Sequence, residues 1–236
     1  MTKYEIFEIL YNDYFKKQLR HTAHECLASY ENGTVISGGD NGIFYTHINY
    51  YTMKRALTEI LNMNQSKNII VETGCAAHGT KSTLLWDKFV SEYGGNVYSV
   101  DLNQDAVNST NNLTSINTKV TCQDSLDFLP KLNLDIDFLY LDSYDLDFLN
   151  PKPSAEHHLK EFNSVKHLLH KGSIVLIDDT PLSADWLDSG KKHPIYETYA
   201  RNFDPNMAGK GSLVNLELEK MGATKIMHQY QALWKI

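Results

Sequence analysis

Short apolar runs alternate with amphipathic segments along the central part of the chain. The apolar runs predict β-strands at residues 68–71, 96–100, 119–122, 136–141 and 173–177. Hydrophobic residues at helical spacing predict helices that begin near residue 81 and that cover residues 104–113 and 154–170. In the last of these, Ser154 is the expected N-cap and Gly172 the expected stop. Strands that alternate with helices form a parallel sheet with helices on both faces, so the pattern predicts an α/β fold.

The N-terminal quarter has a different pattern. Residues 3–30 and 50–63 have helical periodicity, and a glycine-rich loop at 37–42 lies between them. In the first helix, the expected buried face consists of Ile6, Ile9, Leu10, Tyr14 and Leu19. We therefore expect residues 1–54 to form an N-terminal helical extension, either a lid over the ligand or a dimer contact, and residues 55–236 to form the main domain.

The C-terminal part begins with a long segment of little periodicity. Residues 181–211 are expected to form a substrate lid, because long loops in compact domains usually carry function. A helix is predicted over residues 212–221, with Gly222 ending it. Residues 224–236 predict two short strands in an antiparallel hairpin.

The turn after the first predicted strand contains Glu72, Gly74 and Gly79. It lacks the middle glycine of a dinucleotide-binding turn, and Lys81 comes one position too late for a phosphate-binding P-loop. A carboxylate at Glu72 is a poor neighbour for phosphate and a good one for a ligand that carries an ammonium and a sulfonium group. A plain strand-to-helix turn remains the alternative.

Acidic residues follow five successive predicted strands. They are Glu72, Asp101, Asp124, Asp142 and Asp178. Because the carboxyl ends of parallel strands lie at one edge of a sheet, we expect these acids to converge on one crevice. Such a crevice suits a cationic ligand, a divalent cation, or both. Asp124 has an alternative role as the N-cap of a helix that begins at Ser125.

In these motifs the chain resembles the class I S-adenosylmethionine (SAM)-dependent methyltransferases over residues 55–236. The resemblance implies a Rossmann-like, seven-stranded and mostly parallel sheet whose C-terminal hairpin contributes an antiparallel strand. It implies a SAM site in which Glu72 and Gly74 hold the methionine end, Asp101 the ribose, and Asp124 with Ser125 the adenine. The full set of expected cofactor-binding residues is Glu72, Gly74, Gly79, Asp101, Asp124, Ser125 and Asp142.

Asp142 and the Asp178–Asp179 pair resemble the metal ligands of the metal-dependent O-methyltransferase branch. Three carboxylates suit Mg²⁺ or a similar cation, which would relieve their mutual repulsion. The alternative is that Asp178 or Asp179 only caps the following turn.

The catechol-type enzymes of this branch have a lysine base shortly after the first of these ligands, and here Asp145 stands in that region. The pattern is closer to that of the sugar and antibiotic O-methyltransferases. The candidates for the general base are Asp145, His157 and His158, with Lys210 as a further one.

Composition restricts the function further. The net charge of −7 and the absence of a basic stripe argue against nucleic-acid binding. Three isolated cysteines favour reduced thiols in a cytoplasmic protein, and no apolar run reaches the length of a membrane span.

The sequence thus predicts a cytoplasmic, Mg²⁺-assisted SAM-dependent methyltransferase that acts on a hydroxyl of a small acceptor, of sugar or vicinal-diol type. A homodimer through the N-terminal helices is plausible. The alternatives are a P-loop-like nucleotide-binding enzyme and a non-catalytic SAM-binding module.

Overall fold

The structure, a computed structural model, describes residues 1–18, 26–27, 30–31, 34–35, 46–47, 49–75, 81–184 and 194–236. Its centre is a seven-stranded sheet. The strands are β1 (Asn68–Thr73), β2 (Gly95–Asp101), β3 (Thr118–Cys122), β4 (Ile136–Leu141), β5 (Leu169–Ile177), β6 (Thr224–His228) and β7 (Ala232–Lys235). The order across the sheet is β6-β7-β5-β4-β1-β2-β3.

Strands β1 to β5 pair in parallel, and β7 is antiparallel to both β5 and β6. The predicted fold class is therefore confirmed, including the antiparallel C-terminal hairpin. Every residue of β4 is buried, including Asp137, as a mostly apolar run predicts for a central parallel strand.

Helices cover both faces of the sheet. They are α1 (Lys3–Gln18), α2 (Tyr50–Met63), α3 (Ser82–Tyr93), α4 (Gln104–Leu113), α5 (Ser125–Phe128), α6 (Lys152–Val165), α7 (Pro194–Arg201) and α8 (Ser212–Lys220). Three-residue 3₁₀ turns lie at Leu129–Lys131, Lys166–Leu168 and Pro205–Met207. In the N-terminal segment, the two-residue strands Cys26–Leu27 and Thr46–His47 pair with each other, as do Tyr30–Glu31 and Thr34–Val35. No helix among the described residues is long and apolar enough to span a membrane.

Helix α1 is part of the main core. Its buried side chains Phe7, Tyr11, Tyr14 and Phe15 belong to the same hydrophobic cluster as residues of β1 and β4. The predicted buried face was wrong at Ile9, which is 59% exposed, because the aromatic side chains face the sheet instead. The predicted helix was also too long: α1 ends at residue 18, and residues 26–27 and 30–31 are strands.

The expected boundary between residues 54 and 55 falls inside α2, a helix that packs against the sheet. The role of residues 1–54 as a lid or dimer contact stays a prediction, and much of that segment lies outside the described residues.

Two predicted helix signals were wrong in α6. The helix begins before Ser154, with Pro151 at the N-cap and Pro153 in the first turn, where a missing backbone N–H is tolerated. Gly172 does not end the helix; it lies inside β5 with a φ of 103°. By contrast, α4 and β4 have the predicted bounds, and α8 is one residue shorter than predicted.

The segment expected to be irregular, residues 181–211, contains α7 and a 3₁₀ turn. Residues 185–193 of this expected lid lie outside the described residues. The lid therefore stays a prediction.

Candidate active site

The carboxyl ends of the parallel strands form one edge of the sheet. The chain order reverses between β1 and β4, which are neighbours in the sheet. In open α/β sheets this reversal opens a crevice that binds ligands. Asp142 directly follows β4, and Asp178 and Asp179 directly follow β5, so the sequence-predicted metal ligands lie on one side of the crevice.

Asp142, Asp178 and Asp179 come together as an acid triad, in which one oxygen from each carboxylate lies within 4.8 Å of the other two. Tyr230, between β6 and β7, donates a hydrogen bond of 2.6 Å to Asp179 Oδ1. Gln231 Nε2 donates to Asp178 Oδ1 at 2.7 Å. The C-terminal hairpin therefore positions two of the three carboxylates.

Lys210 reaches into the acid triad. Its Nζ lies 2.8 Å from Asp142 Oδ1 and 3.1 Å from Asp179 Oδ2, and its side chain is only 4% exposed. The backbone N–H of Lys210 also donates to the carbonyl of Asp179 at 3.0 Å. Gly209 makes this approach possible, because a β-carbon there would lie 1.9 Å from the same carbonyl oxygen.

Burial and the neighbouring charges shift the pKa values of Asp142, Asp178 and Lys210. Burial, together with the neighbouring carboxylates, raises the pKa of Asp178 well above its ordinary value. Burial also raises the pKa of Asp142, although the Lys210 charge opposes this effect. For Lys210, burial alone would lower the pKa, but the charges of Asp142, Asp179 and Asp178 outweigh it and raise the pKa. The site therefore contains three acidic groups and one basic group, a charge balance that suits a cation.

The donor set fits Mg²⁺ or a similar hard cation. Octahedral Mg²⁺ binds oxygen at about 2.1 Å, which places neighbouring ligand oxygens roughly 3–4 Å apart. The triad oxygens, within 4.8 Å of one another, need only a small side-chain movement to reach this spacing. The Lys210 ammonium contacts Asp142 Oδ1 and Asp179 Oδ2, so a metal ion at these two oxygens would have to share or replace those contacts.

Glu72 lies beneath the turn that follows β1. Its buried carboxylate accepts hydrogen bonds from Ser82 Oγ at 2.5 Å, Trp86 Nε1 at 2.8 Å, Thr83 Oγ1 at 2.5 Å and Ser99 Oγ at 2.7 Å. Burial raises its pKa to about 7, against the effect of these four donors. Glu72 thus ties β1 to α3 and β2, and a direct bond to the methionine end of SAM would have to replace one of these contacts.

The remaining expected cofactor residues lie along the other half of the edge. Gly74 adopts a φ of 83° directly after β1. Asp101 ends β2, and its two oxygens accept from the backbone N–H groups of Cys75 and Asn103 at 3.0 Å and 2.7 Å. Gly79 lies outside the described residues.

Asp124 caps α5. Its Oδ1 accepts from the N–H of Leu126 at 2.8 Å, so the N-cap alternative is confirmed. Ser125 is buried beside it, with its Oγ 3.2 Å from His157 Nε2.

A second buried carboxylate, Glu161 of α6, was missed from the sequence. Its Oε1 accepts from Ser143 Oγ at 2.7 Å and lies 3.2 Å from His157 Nε2, and its Oε2 accepts from Thr73 Oγ1 at 3.1 Å. Burial alone would raise its pKa, but these partners and His158 hold the pKa below its ordinary value. The available signal was the helical spacing that places Glu161 four residues after His157 and three after His158.

The two histidines differ in environment. His158 is fully buried, and its Nδ1 donates to the carbonyl of Ser154 at 2.7 Å. Burial lowers its pKa to about 4, so the ring is neutral and Nε2 carries a lone pair. His157 is partly exposed and is engaged by Glu161 and Ser125.

Asp145 is exposed on the loop that follows β4, three residues after Asp142. Within the part of the chain that the structure describes, it has no hydrogen-bond or ion-pair partner. Of the three candidate bases, it is therefore the one most accessible to a substrate.

Residues 71–180 match a family model described as a methyltransferase domain. A sequence comparison with curated proteins gives no match.

Several solved methyltransferase structures have a similar fold. The O-methyltransferase NovP is 13% identical, with a TM-score of 0.55 over 96% of this chain and 98% of that one. The SAH-bound methyltransferase PaMTH1 of Podospora anserina is 9% identical, with a TM-score of 0.53 over 96% of this chain and 87% of that one.

The MycE methyltransferase from the mycinamycin biosynthetic pathway, in complex with Mg and SAH, is 16% identical, with a TM-score of 0.54 over 80% of this chain. This chain spans 49% of the length of MycE. At these identities the likeness shows the fold, and the roles of individual residues rest on the geometry of the site.

Proposed function

We propose that this chain is a class I SAM-dependent methyltransferase that transfers a methyl group to a hydroxyl of a small acceptor with the help of a divalent cation. The observation that carries this proposal is the acid triad of Asp142, Asp178 and Asp179 at the carboxyl ends of β4 and β5. It lies on the edge of the sheet where the chain order reverses, beside the turn expected to bind the cofactor.

The methyl group would come from SAM, bound along the ends of β1, β2 and β3. Gly74 supports this placement, because its positive φ and missing side chain let the turn approach a ligand closely. Asp101 at the end of β2 is suited to accept hydrogen bonds from ribose hydroxyls. Asp124 and Ser125 begin α5 beside the expected adenine position.

A divalent cation on the triad would lower the pKa of the acceptor hydroxyl and hold its oxygen in line with the methyl carbon. The protein's part is to keep the triad in place. Tyr230 and Gln231 orient Asp179 and Asp178 through hydrogen bonds, and Asp142 is held by its position directly after β4. The triad would supply three oxygen ligands to the cation, and neighbouring hydroxyls of one acceptor could supply others.

The acceptor is proposed to be a ring compound with neighbouring hydroxyls, of sugar or vicinal-diol type. Tyr230 supports this choice, since its hydroxyl contacts Asp179 while its ring belongs to an aromatic cluster. The other aromatic members of the cluster are Tyr51, Phe148, Tyr199 and Phe203. Aromatic faces pack against the apolar faces of rings, which would leave the hydroxyl groups directed at the triad.

Asp145 is the proposed general base. It is exposed and follows the proposed ligand Asp142 on the same loop. Its carboxylate can take the proton that the acceptor hydroxyl loses. His157 and His158 would instead support Glu161, which in turn holds Ser143 and Thr73 at the ends of β4 and β1.

The test begins with calorimetry on the full chain stripped with EDTA. We expect SAM to bind and ATP not to bind, and we expect Mg²⁺ to give a separate heat that is lost in Asp178→Asn. Transfer of labelled methyl groups from SAM to a panel of diols and sugars should then require Mg²⁺. ATP binding would favour the P-loop-like nucleotide enzyme. SAM binding without transfer to any acceptor, with or without metal, would favour a non-catalytic SAM-binding module.

A further inference from the structure

The Lys210 ammonium contacts two of the three carboxylates that form the acid triad. It contacts one oxygen of Asp142 and one of Asp179, at 2.8 Å and 3.1 Å. The charge of the nearby Asp178 also favours the charged form of Lys210. All three groups are the proposed metal ligands, so the following inference rests on the proposed function. A nearly buried lysine in contact with a candidate metal site is unusual, because a buried ammonium is costly unless it is paired.

We infer that Lys210 is the resident counter-ion of the acid triad, and that a divalent cation binds only when it displaces this ammonium from Asp142 and Asp179. A metal ion would bind these oxygens at about 2.1 Å. With the ammonium still at its present distances, the two cations would lie within roughly 5 Å of each other, and like charges repel strongly at that distance when the ammonium is nearly buried.

The local structure fixes the backbone around Lys210, so any displacement of the ammonium has to come from the side chain. The N–H of Lys210 is bonded to the carbonyl of Asp179, and the N–H of Gly211 donates to Thr180 Oγ1 at 2.8 Å. Gly209 packs directly on the same Asp179 carbonyl. The backbone on either side of Lys210 is therefore fixed, whereas the four-carbon side chain can move by rotation about its own bonds.

Two consequences follow for the metal-free protein. The charge of the triad stays compensated without metal, so removal of metal should destabilise the wild-type chain less than a chain that lacks the lysine. The metal has to compete with an internal ligand, so the lysine should weaken its apparent affinity. A triad without the lysine should lose more stability when metal is removed, and it should bind metal more tightly.

The experiment compares the full wild-type chain with Lys210→Met and with the control Lys220→Met. Lys220 also pairs with an acid, Glu217, but its side chain is 70% exposed. Mg²⁺ and Mn²⁺ are titrated into EDTA-stripped protein by calorimetry. We expect Lys210→Met to bind both ions at least tenfold more tightly than wild type, and Lys220→Met to bind them as wild type does.

Thermal unfolding gives a second measurement on the same samples. In EDTA, Lys210→Met should unfold at a lower temperature than wild type, and Mg²⁺ should restore it by a larger shift than it gives wild type. Equal or weaker metal binding by Lys210→Met would overturn the inference, as would the absence of metal binding in both proteins. SAM binding in the same samples shows separately whether the methyltransferase proposal stands.

A measurement on the wild-type chain covers the case in which Lys210→Met does not fold. A buried, hydrogen-bonded ammonium exchanges its protons slowly enough to be followed by ¹⁵N NMR. The Lys210 ammonium signal should be visible in EDTA and should disappear or shift as Mg²⁺ saturates the site. An unchanged signal in the Mg²⁺-saturated protein would show that lysine and metal do not compete.

Discussion

Gly74 lies directly against the backbone of Asp142: a β-carbon on Gly74 would be 2.4 Å from the Asp142 carbonyl oxygen. The two strand ends are joined further by the Asp142 N–H, which donates to the carbonyl of Thr73 at 3.0 Å. The turn expected to bind SAM and the first residue of the acid triad are therefore one packed unit. A substitution in the turn should therefore shift Asp142, and a substitution at Asp142 should shift the turn.

Gly74→Ala should disturb both the fold and the site. At a φ of 83° a β-carbon is strained, which costs about 1–2 kcal/mol, and the contact with Asp142 adds a clash with backbone. We expect a loss of more than about 2 kcal/mol in the free energy of unfolding, measured by urea denaturation, and SAM binding at least tenfold weaker by calorimetry.

Gly222→Ala is the matched control. Gly222 has a similar φ of 76°, but a β-carbon there would meet nothing within 4 Å. Gly222→Ala should lower the free energy of unfolding by only about 1 kcal/mol, and it should bind SAM as tightly as wild type does. Equal losses in the two variants would show that the contact with Asp142 is unimportant.

Glu72 should make stability depend on pH. Its pKa is raised from the ordinary 4.5 to about 7, so the folded state holds a proton that the unfolded state releases. The resulting stabilisation is complete below about pH 4.5 and is lost as the pH rises through about 7, with a maximum of about 3 kcal/mol.

The measurement is the free energy of unfolding of wild type and Glu72→Gln between pH 4 and 8. The wild-type value minus the variant value should fall as the pH rises, because glutamine has no proton to lose. Glu219→Gln, the same substitution at an exposed position of α8, is the control. A constant difference for Glu72→Gln would contradict the raised pKa.

Tyr230→Phe should loosen the acid triad without changing the fold. The substitution removes the 2.6 Å hydrogen bond to Asp179 and keeps the ring in its aromatic cluster. A hydrogen bond to a charged group contributes about 1.5–3 kcal/mol, so we expect the affinity for Mg²⁺ to fall about tenfold or more. SAM affinity should stay at the wild-type value.

Tyr93→Phe is a suitable comparison, because Tyr93 donates a 2.9 Å hydrogen bond to the carbonyl of Lys3, on α1. It should have a small effect on unfolding and none on Mg²⁺ binding. If Tyr230→Phe binds Mg²⁺ as tightly as Tyr93→Phe does, Tyr230 does not position the triad.

The sequence predicted the sheet well for a local reason. In β4 an apolar run, interrupted by Asp137, coincides with a strand buried on both faces. The acid that follows this strand lies at the sheet edge because of the strand's direction alone. The positions of Asp142 and Asp178 therefore needed no knowledge of distant contacts.

Features set by distant contacts were harder to predict. Lys210 lies 68 residues from Asp142 in sequence, and no local pattern marks the pair. In α1, both aliphatic and aromatic residues could have faced the core, and only packing against the sheet selects Phe7 and Tyr11 over Ile9. For Glu72, the strand-end position was correct, but its four donors come from α3 and β2, so the sequence could not show that its carboxylate is enclosed.

Asp145→Asn tests the proposed general base. Removal of a general base typically lowers the rate of the chemical step by about 10²–10⁴-fold, so we expect kcat to fall at least 100-fold at saturating SAM and Mg²⁺. The binding of both should be unchanged, because Asp145 contacts neither the triad nor another donor among the described residues.

Asp147→Asn on the same loop is the control: Asp147 is also exposed, and it caps the N–H of Leu149 at 2.8 Å. Its kcat should stay within about threefold of wild type, since asparagine can keep this cap. A large loss of kcat in His157→Asn, with Asp145→Asn fully active, would transfer the role of base to His157.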